Sequence, residues 1–301
     1  MKRIILTMFI LFIGLSYVKA QPKFLQDAAK AAADSLGVDE KTTNRLIKGA
    51  ASFEESRKAA DNLTSEDEYY LGRAVAANIA GTYPIYRNPA LQAYLNKICN
   101  TIVINSPRPE IYKGYYVAIL DTNEINAFAT PGGHIFVTRG LIACASGEDA
   151  LAAVIAHEIA HIQLRHALTA IRNARYANAF ISGAFAAGDD VKGVKEFADI
   201  MGDSVNEIVT TMVVKGFSKS QELEADAKAL SLLASAGYQP SGLLEMLEVL
   251  KQKQGNNKTS GFGKTHPTPA DRITAAKKNL GKYKVEDTKS FRTKRYGEIT
   301  F

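Results

Sequence analysis

The chain has 301 residues, of which 46% are hydrophobic and 23% are charged, and this composition is typical of a globular protein with a sizeable core. Lys and Arg outnumber Asp and Glu by 37 to 31, which gives a net charge of +6 and an isoelectric point of about 9.1. Three of the positive charges lie in the first twenty residues and the others are scattered, so the charge pattern argues against a nucleic-acid-binding surface.

Residues 1–20 have the pattern of a secretory signal peptide. Lys2 and Arg3 give a positive start, residues 4–18 are apolar, and Ala20 completes a small-residue cleavage pattern. We therefore expect an exported protein, located in the periplasm or outside the cell. An uncleaved membrane anchor is the alternative. No later segment reaches the roughly 20 apolar residues that span a bilayer, so we expect no transmembrane domain after signal removal.

The two cysteines, Cys99 and Cys144, leave two interpretations open. Export would place them in an oxidising compartment, where they could form one disulfide. They could equally be two separate buried thiols, because two positions in a sequence do not establish pairing. Their spacing is not that of metal ligands.

The first part of the expected mature chain is predicted to be helical. Residues 21–62 are charged and Ala-rich and form an expected N-terminal helical segment without identifiable chemistry. A second helix should follow, with Thr64 or Ser65 as N-cap and acidic residues in its first turn. A third amphipathic helix is expected over residues 90–104.

Two short runs rich in β-forming residues come next. Residues 115–120 and 134–138 are separated by a turn-rich stretch that includes Thr130-Pro131-Gly132-Gly133. Two short strands among many helices predict a mainly helical α+β domain with a small β-sheet.

A long helix is predicted from Glu148 to about Thr169, with Ser146 and Asp149 resembling a capping box at its start. Three further helices are predicted over residues 218–237, 241–254 and 269–281. Residues 254–264 have the composition of a mobile loop, and residues 282–301 form a C-terminal tail without a clear pattern.

The long helix contains the sequence His157-Glu158-Ile159-Ala160-His161. Residues four apart share one helical face about 6 Å apart, so both imidazoles can bind one metal ion. Glu158 lies beside them and is suited to accept a proton from an attacking water. A catalytic zinc site takes three protein ligands, so a third ligand must come from elsewhere in the chain.

An acidic helix further along the chain offers candidates for that ligand. Glu222 and Asp226 are four residues apart and share a face, whereas Glu224 points roughly to the opposite side. One of the two carboxylates could bind the metal while the other orients a ligating histidine. The spacing alone does not decide between them, and acidic helices are more often simply solvated.

Four sequence blocks resemble a known family. The chain is similar to the gluzincin zinc metallopeptidases that include HtpX and the CAAX prenyl endopeptidases, and especially to their soluble exported branch, typified by BepA. With its helical lead-in, the resemblance covers roughly residues 63–281, the expected metallopeptidase domain. The matching blocks are Asn126–Gly133, His157–His166, Ser218–Asp226 and Thr265–Ile273.

The resemblance implies a zincin-type fold with one Zn²⁺ per chain. It implies His157, His161 and Glu222 as metal ligands, Asp226 as the partner that orients a ligand, and Glu158 as general base. A zinc ion of this kind supplies acidified water and polarises the scissile carbonyl.

The resemblance also implies a substrate cleft and an endopeptidase function. Asn126, Gly132, Gly133 and His134 are the expected substrate-binding residues, with the strand after the two glycines holding an extended peptide by main-chain pairing. We expect protein or peptide substrates among exported or misfolded envelope proteins, a role in protein quality control, and envelope assembly factors as possible partners.

His266 and Arg272 occupy positions that point at the cleft in the resembled family. Either could donate a hydrogen bond to the developing oxyanion. Alternatively, His266 could close the fourth metal position and keep the protein latent, as the histidine at this position can in the soluble branch. His134 and His166 are expected to be structural.

Two other functions compete with the peptidase. A chaperone or scaffold that binds unfolded envelope proteins with little turnover would use the same groove, although Glu158 argues against a purely non-enzymatic protein. Prenyl-protein processing is disfavoured because the membrane segments of those enzymes have no counterpart in the sequence. A helical-repeat domain like that of BepA is also missing from it.

Overall fold

The computed structural model describes residues 39–40, 63–169, 205–206, 208–254, 265–266 and 269–299. The chain divides into two compact units, and the elements below belong to the unit formed by residues 64–170 and 199–301. The other unit, residues 1–63 and 171–198, lies almost wholly outside the described residues, as do the predicted signal peptide and the 21–62 segment.

The described elements confirm a mainly helical α+β fold with a small sheet. In chain order they are α1 (Ser65–Thr82), α2 (Pro89–Ile104), β1 (Tyr116–Leu120), β2 (Ala127–Ala129), β3 (His134–Thr138), α3 (Arg139–Ile142), α4 (Glu148–Gln163), α5 (Lys219–Ser235), α6 (Ser241–Gln254), α7 (Pro269–Leu280) and α8 (Lys289–Gly297). Among these residues, no helix is both long enough and apolar enough to cross a membrane.

The three-stranded sheet has the order β1-β3-β2. β3 pairs in parallel with β1 along its whole length and antiparallel with β2. The expectation that β3 binds an extended peptide by main-chain pairing is therefore wrong, because neighbouring strands already occupy both of its sides. β2 was not predicted. Its three residues are all buried and too few to produce a hydrophobic alternation.

α4 is the central element of the core. Every residue from Glu148 to Ile162 is buried, because α2, α5, α6 and β2 all pack against this helix. A helix covered on all sides needs small residues for close approach, and Ala supplies them at Ala150, Ala152, Ala153, Ala156 and Ala160.

α4 begins at Glu148 as predicted, but its capping residue and its C-terminal end differ from the prediction. Its N-cap is Gly147 without a side-chain cap, and Ser146 instead donates a 3.4 Å hydrogen bond to Glu245. The helix ends at Gln163 rather than near Thr169, because Arg165 adopts a left-handed conformation with φ 57°. The chain therefore turns sharply immediately after the helix.

Other helix ends follow the predicted signals. Thr64 caps α1 in a capping box with Asp67, and Ser218 caps α5 in a capping box with Gln221. Gly237, just beyond α5, has φ 78°, the conformation for which glycine is favoured at a helix C-terminus.

Gly132 and Gly133 form a tight turn before β3, with φ values of 72° and 102°. A Cβ atom on Gly132 would lie 2.4 Å from Cα of Tyr69, and one on Gly133 would lie 2.3 Å from the carbonyl oxygen of Gly114. Both positions require glycine because backbone segments meet there.

The C-terminal tail is more structured than its sequence predicts. α8 packs on the start of α4, where Arg292 Nε lies 2.8 Å from Asp149 Oδ1 and Arg295 pairs with Glu148. Both carboxylates lie in the first turn of α4, where negative charge also stabilises the helix dipole.

Candidate metal centre

Side chains from three parts of the chain meet at the middle of α4. His157, His161, Glu222 and His266 each offer one ligand atom, and these four atoms all lie within 4.8 Å of one another. α4 supplies the two histidines, α5 supplies the carboxylate, and His266 lies three residues before α7. All four residues are buried.

The spacing of the donor atoms fits a metal ion. Nε2 of His157 lies 3.0 Å from Nε2 of His161, and the two nitrogens lie 3.6 and 3.5 Å from the carboxylate oxygens of Glu222. Tetrahedral ligands about 2 Å from a metal are separated by distances of this order. Two imidazoles and one carboxylate could therefore hold a metal ion here, as the sequence predicts.

His266 lies closest to Glu222 within the cluster. Its Nδ1 is 3.0 and 3.1 Å from the two carboxylate oxygens. The preceding Thr265 donates a 3.0 Å hydrogen bond to the Asn126 side chain, which attaches this segment to the start of β2. His266 is thus at the metal centre, where it could either bind the ion or face a substrate.

Glu158 projects into the same buried region. Its carboxylate is 1% exposed, and neither oxygen has a hydrogen-bond partner among the described residues. Oε1 lies 3.9 Å from Nε2 of His266. A buried carboxylate that accepts no hydrogen bond is costly, so a water or substrate group at this position would meet an unsatisfied acceptor.

Asp226 and Arg272 contact two of the candidate ligands, His157 and Glu222. Asp226 Oδ1 lies 3.0 Å from Nδ1 of His157, and Arg272 donates two 2.7 Å hydrogen bonds to the Asp226 carboxylate. Nη1 of Arg272 also lies 2.9 Å from Glu222. Asp226 thus faces a histidine of the predicted ligand set, and this geometry favours a positioning role for Arg272 over a donor role toward substrate.

The buried charges shift the acidities of the group. Burial raises the pKa of Glu158, only partly offset by His266 and His157. Burial also disfavours the ionised forms of Glu222 and Asp226. The charges of His266 and Arg272 outweigh this effect at Glu222, and the charge of Arg272 outweighs it at Asp226. Both carboxylates therefore have pKa values below their usual range.

The two histidine ligands differ in acidity. Burial lowers the pKa of His161. For His157, burial and Arg272 favour the neutral ring, but hydrogen bonds to Asp226 and Glu222 outweigh them and raise its pKa. A metal ion would displace that proton on binding, so the affinity of the site should depend on pH.

The predicted substrate-binding residues do not join this cluster. Asn126 is buried, and its side chain already accepts hydrogen bonds from Thr265 and from the backbone of Ala127. His134 stacks near Tyr69, with ring centroids 5.4 Å apart. The geometry therefore assigns packing roles to Asn126, Gly132 and Gly133, and their binding roles remain predictions.

Two residues near the ligands were not predicted as part of the site. The ring of Phe217 stacks on His161, with centroids 4.2 Å apart and planes 20° apart. His166 places Nδ1 2.9 Å from Nδ1 of His161. Phe217 directly precedes the Ser218 cap of α5, and His166 follows the turn after α4.

A small pocket borders Glu158 and His157. Its other walls come mainly from α4 and α6, and they are apolar apart from Arg272. The lining side chains are Ala153, Val154, Leu243, Met246, Leu247 and Leu250.

Cys99 and Cys144 are both free thiols, and Cys99 is buried among core residues. Burial raises the pKa of Cys99 to about 12. The structure therefore does not join the two cysteines, and neither belongs to the metal centre.

Comparison with known families identifies the chain. The family model described as peptidase family M48 matches residues 87–280, which include all four residues of the metal centre. The chain belongs to peptidase family M48.

Several curated proteins of this M48 type are similar to the chain. The beta-barrel assembly-enhancing protease of Escherichia coli O157:H7 is 26% identical over 221 residues, covering 73% of this chain and 45% of that protein. The mitochondrial metalloendopeptidase OMA1 of Schizosaccharomyces pombe is 32% identical over 149 residues, covering 49% of this chain and 41% of that protein.

The metalloprotease LoiP of Escherichia coli is 30% identical over 179 residues, covering 59% of this chain and 66% of that protein. The chain spans about half the length of the assembly-enhancing proteases that it matches. The names of these relatives describe whole proteins and not only the region that is similar to this chain.

Proposed function

We propose that this chain is a zinc-dependent endopeptidase that cleaves exported or misfolded envelope proteins in protein quality control. The observation that carries the proposal is the position of Glu158. A buried carboxylate that accepts no hydrogen bond among the described residues stands beside two histidines and a second carboxylate that fit a zinc ion. A structural metal site has no need of such a group.

The proposed ligands are His157, His161 and Glu222, with one Zn²⁺ per chain. Imidazole and carboxylate donors in a three-ligand set are typical of catalytic zinc, which leaves one position open. When bound, zinc supplies Lewis acidity that activates water and polarises a carbonyl.

Glu158 is proposed to take the proton of the attacking water at its carboxylate and deliver it to the leaving amine. Its raised pKa suits the first half of this exchange, because a carboxylate with a pKa closer to the operating pH is a stronger base toward the attacking water. Asp226 and Arg272 hold His157 in orientation during the reaction.

We propose β2 as the strand that holds the substrate backbone, in place of β3. Among the described residues β2 forms its ladder with β3 on one side only, and it packs against α4. The other edge is buried in this structure, so a peptide would need to gain access to it, and once paired there it would lie alongside the helix that carries the proposed metal ligands.

The envelope role is supported by the names of relatives and by the signal-like N-terminus. Relatives are described as beta-barrel assembly-enhancing proteases, and residues 1–20 predict export. We propose a periplasmic or extracellular location, with protein substrates and envelope assembly factors as partners.

A chelator experiment tests the enzymatic part of the proposal. The purified chain should cleave an unfolded substrate protein, lose this activity after zinc removal by a chelator, and recover it with about one equivalent of Zn²⁺. Activity that survives zinc removal would contradict the proposal. Binding of unfolded protein without cleavage, with zinc present, would favour the chaperone alternative.

Proteomics tests the biological part. Envelope proteins from cells with the parent chain should be compared with those from cells carrying Glu158→Gln. Envelope fragments or full-length proteins whose abundance changes only with an active Glu158 would support the quality-control role. Identical envelope proteomes under folding stress would contradict it.

A further inference from the structure

His166 lies against the metal ligand His161 on the side away from the metal centre. The two Nδ1 atoms are 2.9 Å apart, and Nε2 of His166 lies 3.5 Å from Oε2 of Glu224. His161 and His166 are buried, whereas the Glu224 side chain is 60% exposed. These three side chains form a row that leads from the ligand to the surface.

The donor and acceptor positions in this row follow from the ligand geometry. His161 directs Nε2 toward His157 and Glu222, so Nε2 is the atom available to a metal. A neutral ring that uses Nε2 as ligand carries its proton on Nδ1. That proton must be donated to Nδ1 of His166, whose own proton then sits on Nε2, facing Glu224.

We propose that His166 is a positioning residue that fixes the tautomer and orientation of His161 for metal binding. This inference rests on the proposed zinc site. The row gives His161 a neutral acceptor, whereas His157 donates to the carboxylate of Asp226. The two ligands are therefore held by partners of different charge.

The backbone is bent in a way that brings His166 into place. On a continuous helix, residues five apart point about 140° away from each other, so positions 161 and 166 would not meet. The left-handed conformation of Arg165 ends the helix and folds His166 back onto His161. A non-glycine residue in that region is strained by about 1 kcal/mol or more, and such strain is concentrated at functional sites.

Phe217 restricts His161 from another direction. Its ring stacks on the imidazole, so the ring plane is fixed by packing. Stacking fixes a plane but does not distinguish Nδ1 from Nε2. The hydrogen bond to His166 supplies that distinction, because only one ring nitrogen can donate to it.

The test compares zinc affinities of two variants with the parent protein. His166→Phe removes the acceptor and keeps an aromatic ring, so zinc binding should weaken by about 10- to 100-fold. His166→Gln places a carbonyl acceptor in the same direction, and its zinc affinity should return to within about threefold of the parent. Competition with a chelator measures both.

Two further readouts separate this role from a structural one. The visible spectrum of the Co²⁺-loaded chain reports ligand geometry, so it should change in His166→Phe and resemble the parent in His166→Gln. If His166 has only a packing role, the melting temperature of the metal-free protein should fall by similar amounts in His166→Phe and His166→Gln. Lys251→Ala, an exposed change on α6, serves as a surface control, with at most about a threefold change in affinity.

Parental zinc affinity and an unchanged Co²⁺ spectrum in His166→Phe would overturn the inference. Equal losses of affinity in the Phe and Gln variants, matched by equal losses of metal-free stability, would also overturn it. Failure of the proposed function is distinguishable, because in that case the parent itself would bind no zinc at this site or cleave no protein.

Discussion

Arg272 donates two 2.7 Å hydrogen bonds to Asp226 in a region where both side chains are almost completely buried. Asp226 in turn faces Nδ1 of His157. A fork of two parallel hydrogen bonds fixes the orientation of a carboxylate as well as its charge. The orientation of His157, a proposed metal ligand on α4, therefore depends on a residue of α7.

Loss of the Arg272 guanidinium should destabilise the fold. Arg272→Leu leaves Asp226 and Glu222 buried without their cation, so the free energy of unfolding should fall by about 3–5 kcal/mol. Urea denaturation measures the difference. Lys277→Ala is the matched control, because Lys277 forms an exposed ion pair on the same helix and should contribute less than about 1 kcal/mol. Equal effects of the two substitutions would contradict this account.

The assignment of the third ligand predicts a specific loss of metal. Glu222→Ala removes the carboxylate from the cluster, so zinc retention after dialysis should drop sharply. Asp271→Ala is the control, since Asp271 is an acid of the neighbouring helix that is about half exposed and pairs with Lys219. Metal content should be measured by atomic absorption. Similar retention in both variants would remove Glu222 from the ligand set.

The position of His266 distinguishes a latent enzyme from an open one. Its ring lies within the cluster of ligand atoms, so we expect it to block the open metal position when no substrate is bound. His266→Ala should then raise the basal cleavage rate of a loosely folded protein. The opposite result, a fall of about 10²-fold or more with zinc retained, would identify His266 as an oxyanion donor.

The C-terminal helix α8 should stabilise α4, the helix that carries the proposed metal ligands. Arg292 is buried and pairs with Asp149 at the start of α4, so Arg292→Ala should lower the free energy of unfolding by about 3 kcal/mol. Lys294→Ala, an exposed change on the same helix, should be close to neutral. Thermal or urea unfolding of both variants provides the measurement. A neutral Arg292→Ala would mean that α8 is not needed for this packing.

The sequence predicted the helix that carries the candidate metal ligands because the motif is local. His157, Glu158 and His161 lie within one turn and a half, so spacing alone places them on neighbouring positions of a helix. Glu222 could not be chosen over Asp226 by spacing, and the family resemblance supplied the choice. In the structure, Glu222 offers a carboxylate oxygen to the cluster of candidate ligand atoms, whereas Asp226 contacts Nδ1 of His157.

Features that depend on contacts between distant segments were not predictable. The fork from Arg272 to Asp226 joins residues 46 positions apart, and the ion pair from Arg292 to Asp149 joins residues 143 apart. The contact of His166 with His161 depends on a break in α4 that no glycine or proline marks, because Arg165 itself adopts the left-handed conformation. The central place of β3 depends on a third strand only three residues long.

The measurement that most directly tests the central claim is the activity of Glu158→Gln with its zinc content determined on the same sample. Glu158 is not among the proposed ligands, so the variant should fold and retain about one zinc per chain. It lacks the base, so cleavage of an unfolded protein should fall by several orders of magnitude. Undiminished cleavage by a zinc-loaded Glu158→Gln protein would contradict the account.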